Sequence, residues 1–349
     1  MAPTTEMPPQ PPVDRAPHTR KPAISPPSNA LLRTSRSHST RPLTATENAL
    51  CGATAGLASR SLVAPFDVVK ITLQLETQRR SYTPRPTRSS VLACATRIYS
   101  REGIWGLFKG NLSASYLYLS YGATQFFVFG SVDRVLAKIS AIPKEIRSFV
   151  GGASAGAIAT SVTYPFDLLR TRFVAQESSH KVHQSILGAI SQITREEGMQ
   201  GFYRGLWPAC LQIMPYMGIV FASYDALGSG YKWIRNTVVQ SDNPLLRTLD
   251  SMQDAIIGGS AAVIGKCCVY PLDLVRKRLQ IQGPHLKSYA GGNVPRYTGM
   301  SQALMTIARN EGFFALFRGL TPALVKAAPT SAVIFYVYGL TRDLVLSVR

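Results

Sequence analysis

Six long apolar stretches alternate with polar segments along this chain. They cover residues about 47–75, 112–137, 148–176, 206–233, 251–282 and 320–346. Each is long enough to cross a bilayer as a helix, because a helix rises about 1.5 Å per residue and the apolar core is about 30 Å thick. Backbone that faces lipid has to be helical or part of a closed barrel. The pattern therefore predicts an all-α membrane protein with six transmembrane helices.

A shorter amphipathic segment separates the long stretches of each pair. In residues 89–101 the apolar side chains Val91, Leu92, Ala95 and Ile98 recur at helical spacing. A helix of this kind lies along a membrane surface rather than across the membrane. We therefore expect short surface helices beside the long ones.

A motif of a proline, an acid two residues later and a base three residues after the acid occurs three times. The copies are Pro65-Phe-Asp67-Val-Val-Lys70, Pro165-Phe-Asp167-Leu-Leu-Arg170 and Pro271-Leu-Asp273-Leu-Val-Arg276. Each copy ends an apolar stretch, and the copies follow one another at intervals of roughly 100 residues, which is the signature of an internal triplication. A second base follows as Arg172 and Arg278, but the first copy has Thr72 there.

A glutamate–glycine turn recurs together with this motif. It occurs as Glu102-Gly103, Glu197-Gly198 and Glu311-Gly312. The predicted organisation is a basic tail rich in Pro and Ser over residues 1–44, followed by repeats over residues 45–140, 141–236 and 237–349. A polar linker is predicted over residues 236–250.

The spacing within the motif predicts a ring of charges. A proline within a membrane helix removes a hydrogen bond and bends the chain, so Pro65, Pro165 and Pro271 should bend three helices toward one axis. Acid and base lie close to one helix face because three residues make almost one turn. Charges at membrane depth are costly unless they are paired. The three acids and three bases should therefore form ion pairs between helices.

The charge balance narrows the choice of partners. The chain has 349 residues and a net charge of +19. Its bases are spread over every repeat without a recognised nucleic-acid module, which favours phosphate-bearing small molecules and anionic lipids over nucleic acid. The five cysteines lack the spacing of a metal site, so we expect free thiols and no metal. The tail has the composition of a disordered segment, and a transit peptide is the alternative.

The two recurring motifs resemble those of the mitochondrial carrier family, over residues 45–345. The resemblance implies six transmembrane helices in three pseudo-threefold repeats, with the short surface helices on the matrix side. It also implies a multi-pass protein of the mitochondrial inner membrane, with both termini toward the intermembrane space. We expect a monomeric transporter that is not an enzyme, needs no cofactor and contacts anionic lipids such as cardiolipin.

The resemblance also assigns two gates. The matrix gate would pair Asp67 with Arg170, Asp167 with Arg276 and Asp273 with Lys70. Gln74 and Gln280 would brace it, whereas Val174 takes the equivalent place in repeat two. At the other end, the cytosolic gate would hold one bridge, between Asp225 and Arg342. Other members carry acids and bases in all three repeats there, so this gate is expected to be weak.

Family substrate positions lie mid-membrane. On the even helices they correspond to Leu117-Tyr118, Gln212-Ile213 and Lys326-Ala327, and on the odd helices they include Arg60, Thr160 and Lys266. Three bases without a matching acid, Arg60, Lys266 and Lys326, imply an anionic substrate, and a pyrophosphate offers them several charge-assisted contacts. Tyr118, Tyr121 and Tyr216 could stack on a heterocycle or hold a cation. The alternative is that these tyrosines are interfacial packing residues.

Several stretches are similar to family members that carry thiamine pyrophosphate in fungi. They include Tyr121–Phe126, Asp167–Phe173, Gln212–Gly218, Pro271–Gly283 and Leu324–Ala332. The similarity implies exchange of thiamine pyrophosphate for a nucleotide or a related anion. Alternatives are a carrier of adenine nucleotide or coenzyme A, an enzyme, and a basic nucleic-acid binder. No nucleophile–histidine–acid arrangement stands out, because the five histidines fall in the tail or in loops.

Overall fold

The computed structural model describes residues 44–77, 91–136, 144–176, 182–237, 244–289 and 294–347. These residues form α-helices, short 3-10 helices and one isolated antiparallel bridge between Gln176 and Tyr289. The predicted tail of residues 1–44 lies outside the described residues except for Thr44.

The described helices follow the predicted order of three similar repeats. They are α1 (Ala45–Leu75), α2 (Val91–Gly106), α3 (Asn111–Leu136), α4 (Lys144–Ala175), α5 (Ile186–Glu197), α6 (Leu206–Leu211), α7 (Ile213–Thr237), α8 (Pro244–Gln280), α9 (Met300–Asn310), α10 (Leu320–Val325) and α11 (Ala327–Ser347). We call the first long helix of each repeat its odd helix, and these are α1, α4 and α8. The second long helix is its even helix, formed by α3 in repeat one, α6 with α7 in repeat two and α10 with α11 in repeat three. The short amphipathic helices are α2, α5 and α9, as the apolar pattern predicted for α2.

Helix α1 begins one residue after Thr44. The Thr44 hydroxyl accepts a hydrogen bond from the Glu47 N–H, and the Glu47 carboxylate accepts one from the Thr44 N–H at 2.8 Å. This capping box satisfies two groups that a helix start leaves without partners. The helix therefore starts two residues before the apolar stretch that the sequence predicted from about residue 47.

Helix α8 also begins earlier than predicted. Residues 236–250 read as a polar linker, but the helix starts at Pro244. Proline is favoured at the first helical position, where its missing N–H costs nothing and its fixed φ suits the helix. The predicted linker is therefore partly helical.

The even helices of repeats two and three are interrupted, whereas the one in repeat one is continuous. Gln212 separates α6 from α7, and Lys326 separates α10 from α11. Pro215 and Pro329 follow each break by three residues and cannot supply the N–H that the carbonyl four residues earlier needs. Repeat one has Ser120 at this place, and α3 runs unbroken through it.

The glutamate–glycine turns have the same backbone in all three repeats. Gly103, Gly198 and Gly312 have φ values of 68°, 67° and 92°. This left-handed region is strained for residues with a side chain. Glycine here lets the chain leave each surface helix and enter the next even helix.

Three helical runs of the described chain are long and apolar enough to cross a membrane by length and composition: Met199–Arg235, Met252–Gln280 and Phe313–Ser347. The main buried cluster lies at the end of the bundle where the three proline motifs sit, and it includes Val68, Leu274 and Leu286. Pro65, Pro165 and Pro271 lie inside α1, α4 and α8. Large apolar side chains such as Phe126 and Phe335 are exposed, as expected for side chains that face lipid.

Candidate substrate cavity and gates

The three acid–base pairs that the family resemblance assigns to a matrix gate are present in the structure. Arg170 lies 2.7 Å from Asp67, Arg276 lies 2.8 Å from Asp167, and Lys70 lies 2.7 Å from Asp273. Each pair joins two odd helices, so the pairs close a ring over α1, α4 and α8. All three carboxylates are buried. Removing one partner of such a pair is strongly destabilising, by about 3–5 kcal/mol, because an uncompensated buried charge remains.

Two glutamines contact this ring. The Gln280 amide donates to the Asp167 carboxylate at 2.5 Å. The Gln74 amide donates to the Tyr270 hydroxyl at 3.0 Å and to the Asp273 carboxylate at 3.4 Å. Val174 occupies the third equivalent place and carries no polar group. The contact between α1 and α4 therefore lacks a glutamine brace.

The second bases of the motif lie away from the ring and hold the glutamate–glycine turns. Arg172 donates to both carboxylate oxygens of Glu197, at 2.5 and 2.9 Å. Arg278 makes the same kind of bidentate contact with Glu311. Both arginines are almost fully buried. A bidentate arginine–carboxylate pair combines charge with a fixed orientation, so it locks the surface helix onto its odd helix.

The same arginines complete the ends of helices in the next repeat. Arg172 donates to the Gln280 carbonyl at 3.1 Å and to the Gln282 carbonyl at 3.2 Å. Arg278 donates to the Gln74 carbonyl at 3.0 Å and to the Glu76 carbonyl at 3.2 Å. A helix end leaves such carbonyls without intrahelical partners. The arginines therefore tie α4 to α8 and α8 to α1.

Repeat one replaces this arginine with Thr72. The Thr72 hydroxyl donates to the Val68 carbonyl of its own helix, at 2.9 Å. Lys109 instead contacts Glu102 at 2.6 Å and donates to the Gln176 carbonyl at 2.9 Å. The Glu102 side chain is 15% exposed, against 2% for Glu197. Arg204 and Arg318 make the equivalent contacts in the other repeats. Within the described chain, the turn of repeat one therefore has one basic partner, where the turns of repeats two and three have two.

A cavity of about 340 Å³ lies above the ring, between the helices of repeats one and two and α8. Its lining includes residues predicted to contact the substrate: Arg60, Tyr118, Tyr121, Gln212 and Ile213. Arg170, Arg276 and Asp167 of the matrix gate also line it. Sequence spacing did not indicate that the gate would form part of the cavity wall. The cavity is therefore rich in cationic groups and tyrosine rings.

Arg60 is placed by an aromatic ring. Its guanidinium carbon lies 5.2 Å from the centre of the Tyr118 ring. The Tyr118 ring crosses α1 at Gly56, where a Cβ atom would collide with the phenol. Among the described residues Arg60 has no hydrogen bond or ion pair with a carboxylate. Arg60 can therefore offer its N–H groups to an anion in the cavity.

The two lysines predicted to bind substrate are paired with gate carboxylates. Lys266 lies 3.4 Å from Asp273, and Lys326 contacts Asp67. The expectation of three bases without a matching acid is therefore wrong for both lysines. The reason is that a lysine side chain reaches across about two helical turns, and the nearest buried carboxylates belong to the closed gate.

The remaining predicted substrate residues differ in their surroundings. Gln212 lines the cavity, and its buried side-chain oxygen has no hydrogen-bond donor among the described residues. Tyr216 packs instead against Gly265 of α8, outside this cavity. The packing alternative therefore describes Tyr216, whereas Tyr118 and Tyr121 face the cavity.

The structure does not bring the cytosolic gate residues together. Asp225 and Arg342 are both exposed, and they form no ion pair with each other. At this end each contact between two repeats has a side-chain pair: Tyr224 with Asp254, Tyr338 with Asn48, and Arg147 with Asp133. Asp225 and Arg342 therefore do not bridge the axis in this conformer, in which the opposite end of the bundle is closed by the ring.

Two tyrosines of the site were missed. Tyr164 and Tyr270 precede the motif prolines of repeats two and three, and each hydroxyl donates to the carbonyl of Arg204 or Arg318, at 2.9 and 3.0 Å. The Arg276 guanidinium lies 5.2 Å from the Tyr164 ring centre, and Lys70 lies 5.8 Å from that of Tyr270. Their position before the proline in two of three repeats was the available signal.

The family model described as mitochondrial carrier protein matches residues 41–140, 144–233 and 247–348. The chain belongs to the mitochondrial carrier family. Its fold is the all-α carrier fold, as the repeats predicted. It is a solute transporter of a mitochondrial membrane and not an enzyme.

Curated proteins similar to this carrier share one description. A mitochondrial thiamine pyrophosphate carrier 1 from Phaeosphaeria nodorum is 44% identical over 298 residues, which cover 83% of this chain and 89% of that protein. Proteins of the same description from Pyricularia oryzae and Coccidioides immitis are 42% and 43% identical, and the match covers 89% of each. The likeness extends over all three repeats.

Proposed function

We propose that this carrier exchanges thiamine pyrophosphate for a nucleotide or a related anion across the mitochondrial inner membrane, by alternating access. The proposal rests first on the description shared by the similar proteins. Within the structure, the observation that carries it is the pairing of Arg60 with Tyr118 in the cavity. A cationic group for phosphate and an aromatic face for a cationic heterocycle lie side by side there.

The chemistry of the cavity suits both ends of thiamine pyrophosphate. Arg60 supplies N–H donors for charge-assisted hydrogen bonds to a pyrophosphate. A tyrosine face attracts a cationic ring, which the thiazolium provides. The Gln212 oxygen, which has no donor within the described chain, can accept a hydrogen bond from an amino group of the substrate. These contacts support thiamine pyrophosphate over a small monocarboxylate.

The state of the gates sets the direction in which the cavity opens. The matrix gate is closed by three ion pairs, while Asp225 and Arg342 are apart. With both termini in the intermembrane space, this conformer receives substrate from that side. Binding energy at the cavity then has to favour the state in which the ring is open, since a ligand shifts an equilibrium only by its differential affinity.

Uptake of labelled thiamine pyrophosphate into proteoliposomes tests the proposal. The vesicles hold the purified carrier and are preloaded with thiamine pyrophosphate, ADP, coenzyme A or buffer. Saturable uptake that requires an internal anion and resists external ADP is the expected result. Uptake of ADP or coenzyme A without thiamine pyrophosphate would assign the carrier to another phosphate-bearing metabolite.

A matched pair of variants connects this uptake to the cavity. Arg60→Gln should lower uptake strongly, because the cation that faces the cavity is lost. Arg309→Gln removes an exposed arginine of α9 far from the cavity and should not change uptake. Equal effects of the two substitutions would remove Arg60 from the binding site.

The partner expectations are parts of the same proposal. The carrier is expected to work as a monomer among anionic lipids such as cardiolipin, without nucleic acid. Its basic surface supports the lipid expectation, because an anionic membrane surface attracts lysine and arginine. These statements stay predictions.

A further inference from the structure

Each carboxylate of the matrix gate contacts a second cation besides its predicted partner. For Asp67 this cation is Lys326, for Asp273 it is Lys266, and for Asp167 it is Lys277. The first two come from positions that face the interior of the bundle. The third comes from the gate itself, one residue after Arg276, and the proposed function gives it no role.

The Lys277 ammonium group contacts four side-chain oxygens. It lies 2.9 and 3.0 Å from the two Asp167 oxygens and 3.0 Å from both Thr171 and Gln280. Asp167 and Thr171 are on α4, so the Lys277 side chain links α8 to α4. The equivalent places in repeats one and two are Ile71 and Thr171, which carry no charge. Of the three motif copies, the third alone thus has a cation at this position, and that cation serves the α4–α8 contact.

The three second cations differ in accessibility. The side chains of Lys266 and Lys326 are 31% and 24% exposed, whereas that of Lys277 is 8% exposed. An anionic solute inside the bundle can therefore compete with Asp273 for Lys266 and with Asp67 for Lys326. It cannot reach Lys277 while α4 and α8 remain in contact. Substrate binding thus draws the second cation away from two gate carboxylates, Asp67 and Asp273. It leaves the second cation of Asp167 in place.

Both weakened carboxylates belong to contacts of α1. Asp67 is the α1 partner of Arg170, and Asp273 is the partner of Lys70 on α1. Repeat one also lacks the arginine that ties the odd helix to its surface helix, since it has Thr72. Substrate competition and the missing arginine both act on repeat one.

The contact between repeats two and three has additional ties outside the ring. Arg172 donates from α4 to the carbonyls at the end of α8. His183, before α5, contacts the Tyr289 hydroxyl at 2.8 Å, and His285 contacts Glu196 at 2.6 Å. Arg278 and Arg318 tie repeat three to the carbonyls at the end of α1 in a similar way. Among the described residues, the end of α4 receives only the Lys109 contact with the Gln176 carbonyl from repeat one.

We infer that the matrix gate opens unevenly: the contact between repeats one and two separates first, and Lys277 keeps repeats two and three together. The inference rests on the proposed function in one respect, because it requires that the substrate is an anion. Lys277 is a positioning residue, because it acts through Asp167 and does not line the cavity. It makes a threefold ring of similar ion pairs open in a fixed order.

Spin-label distances across the three contacts test this order. Thr96, Ser191 and Met305 are exposed, equivalent positions on α2, α5 and α9, and they accept cysteine pairs after the native cysteines are replaced by alanine. In proteoliposomes with thiamine pyrophosphate, the share of long distances should increase most for the labels at residues 96 and 191. It should increase least for the labels at residues 191 and 305. Equal gains for all three pairs would overturn the inference.

Lys277→Met sharpens the test. The share of long 191–305 distances should rise roughly tenfold, the change expected when one charge-assisted contact is lost. Lys277→Arg, which keeps the charge, should retain the narrow distribution, and Lys287→Met controls for removal of an exposed lysine. An unchanged 191–305 distribution in Lys277→Met would refute the role of Lys277. In uptake, Lys277→Met should change the maximal rate and leave KM unaltered.

The same distances without substrate separate this inference from the proposed function. The Lys277 effect on the 191–305 pair depends on the protein alone, so it should appear in the ligand-free carrier. Suppose that the Lys277 effect appears, that thiamine pyrophosphate changes none of the distances, and that another phosphate compound does change them. Only the assignment of the substrate then fails. If no anion changes the order of the pairs, uneven opening by substrate is refuted.

Discussion

Repeat one and the other two repeats carry the same ring of charges but different support for it. The differences fall at three equivalent places, where repeat one has Ala64, Thr72 and Ser120, repeat two has Tyr164, Arg172 and Pro215, and repeat three has Tyr270, Arg278 and Pro329. The tyrosines and arginines tie the odd helices to neighbouring turns and helix ends. The prolines interrupt the even helices beside the cavity.

This difference teaches that a sequence repeat does not guarantee equal contacts. The ion pairs of the ring have nearly equal lengths, from 2.7 to 2.8 Å. The contacts below the ring differ in number. Among the described residues, the turn glutamate of repeat one has one basic partner, whereas those of repeats two and three have two each. Repeat one is therefore the part of the gate with the fewest constraints.

The largest expected effect comes from removing the support that repeat one lacks. Arg172→Ala leaves Glu197 with Arg204 as its remaining basic partner and takes the Arg172 donor from the Gln280 carbonyl. It should lower the free energy of unfolding by about 3 kcal/mol, because the buried carboxylate keeps only a partly exposed cation. Thermal unfolding of the purified protein in detergent measures this. Glu102→Gln, the matched change in repeat one, should cost about 1 kcal/mol; equal losses would mean that the two turns are held alike.

The interrupted even helices offer a second comparison. Pro329→Ala restores an N–H that can bond the Val325 carbonyl, so α10 and α11 should join and Lys326 should turn away from Asp67. Uptake should fall roughly tenfold, since small displacements of a positioned group are costly. Pro284→Ala, in an exposed loop, is the control. Normal uptake by Pro329→Ala would show that the break does not position Lys326.

Repeat one can also be given the missing arginine. Thr72→Arg places a guanidinium near Glu102 and the end of α4, and it should raise the free energy of unfolding by about 1.5 kcal/mol. The 96–191 label pair should then gain fewer long distances with substrate. Thr72→Gln supplies length without charge and should do neither. A loss of stability in Thr72→Arg would show that Lys109 already satisfies this site.

The smallest effect concerns the histidine contact of repeats two and three. Burial lowers the pKa of His183 from its ordinary value of 6.5, and nearby Arg172 and His285 act in the same direction, while Gln192 and Glu196 oppose them. The folded state therefore prefers neutral His183. The contribution of neutral His183 to the free energy of unfolding is present above about pH 6.5. It is lost as the pH falls through the lower pKa of the folded state.

This pH dependence is measurable by comparison. The difference in unfolding temperature between the natural protein and His183→Asn should shrink between pH 7.5 and 5.5, by less than about 1 kcal/mol in free energy. His285→Asn removes the neighbouring partly exposed imidazole as a control. A difference that does not vary with pH would mean that His183 acts through packing alone.

The sequence predicted the ring of charges because its geometry is local. Acid and base three residues apart lie on one helix face, and a threefold repeat brings three such faces together, so a ring of ion pairs followed from the motif. The family resemblance supplied which acid pairs with which base. The partners of Lys266 and Lys326 could not be predicted in the same way. A long lysine side chain can reach a solute or a carboxylate, and only the packed conformer decides between them.

Other misses have equally specific causes. Pro244 looked like part of a linker because proline usually interrupts structure, yet it is favoured at a helix start. Lys277 was not singled out from the sequence. Three of its four oxygen contacts are with Asp167 and Thr171, which are more than 100 residues away in the sequence.

The arginines that complete helix ends have a consequence for the synthesis of the chain. Helix α1 is made first, but the Gln74 carbonyl at its end receives its donor from Arg278, 204 residues later. Contacts between such distant positions form slowly, because a long loop must close before they contribute. The first repeat therefore emerges with an unfinished end, and the ring can close only after the third repeat has been inserted.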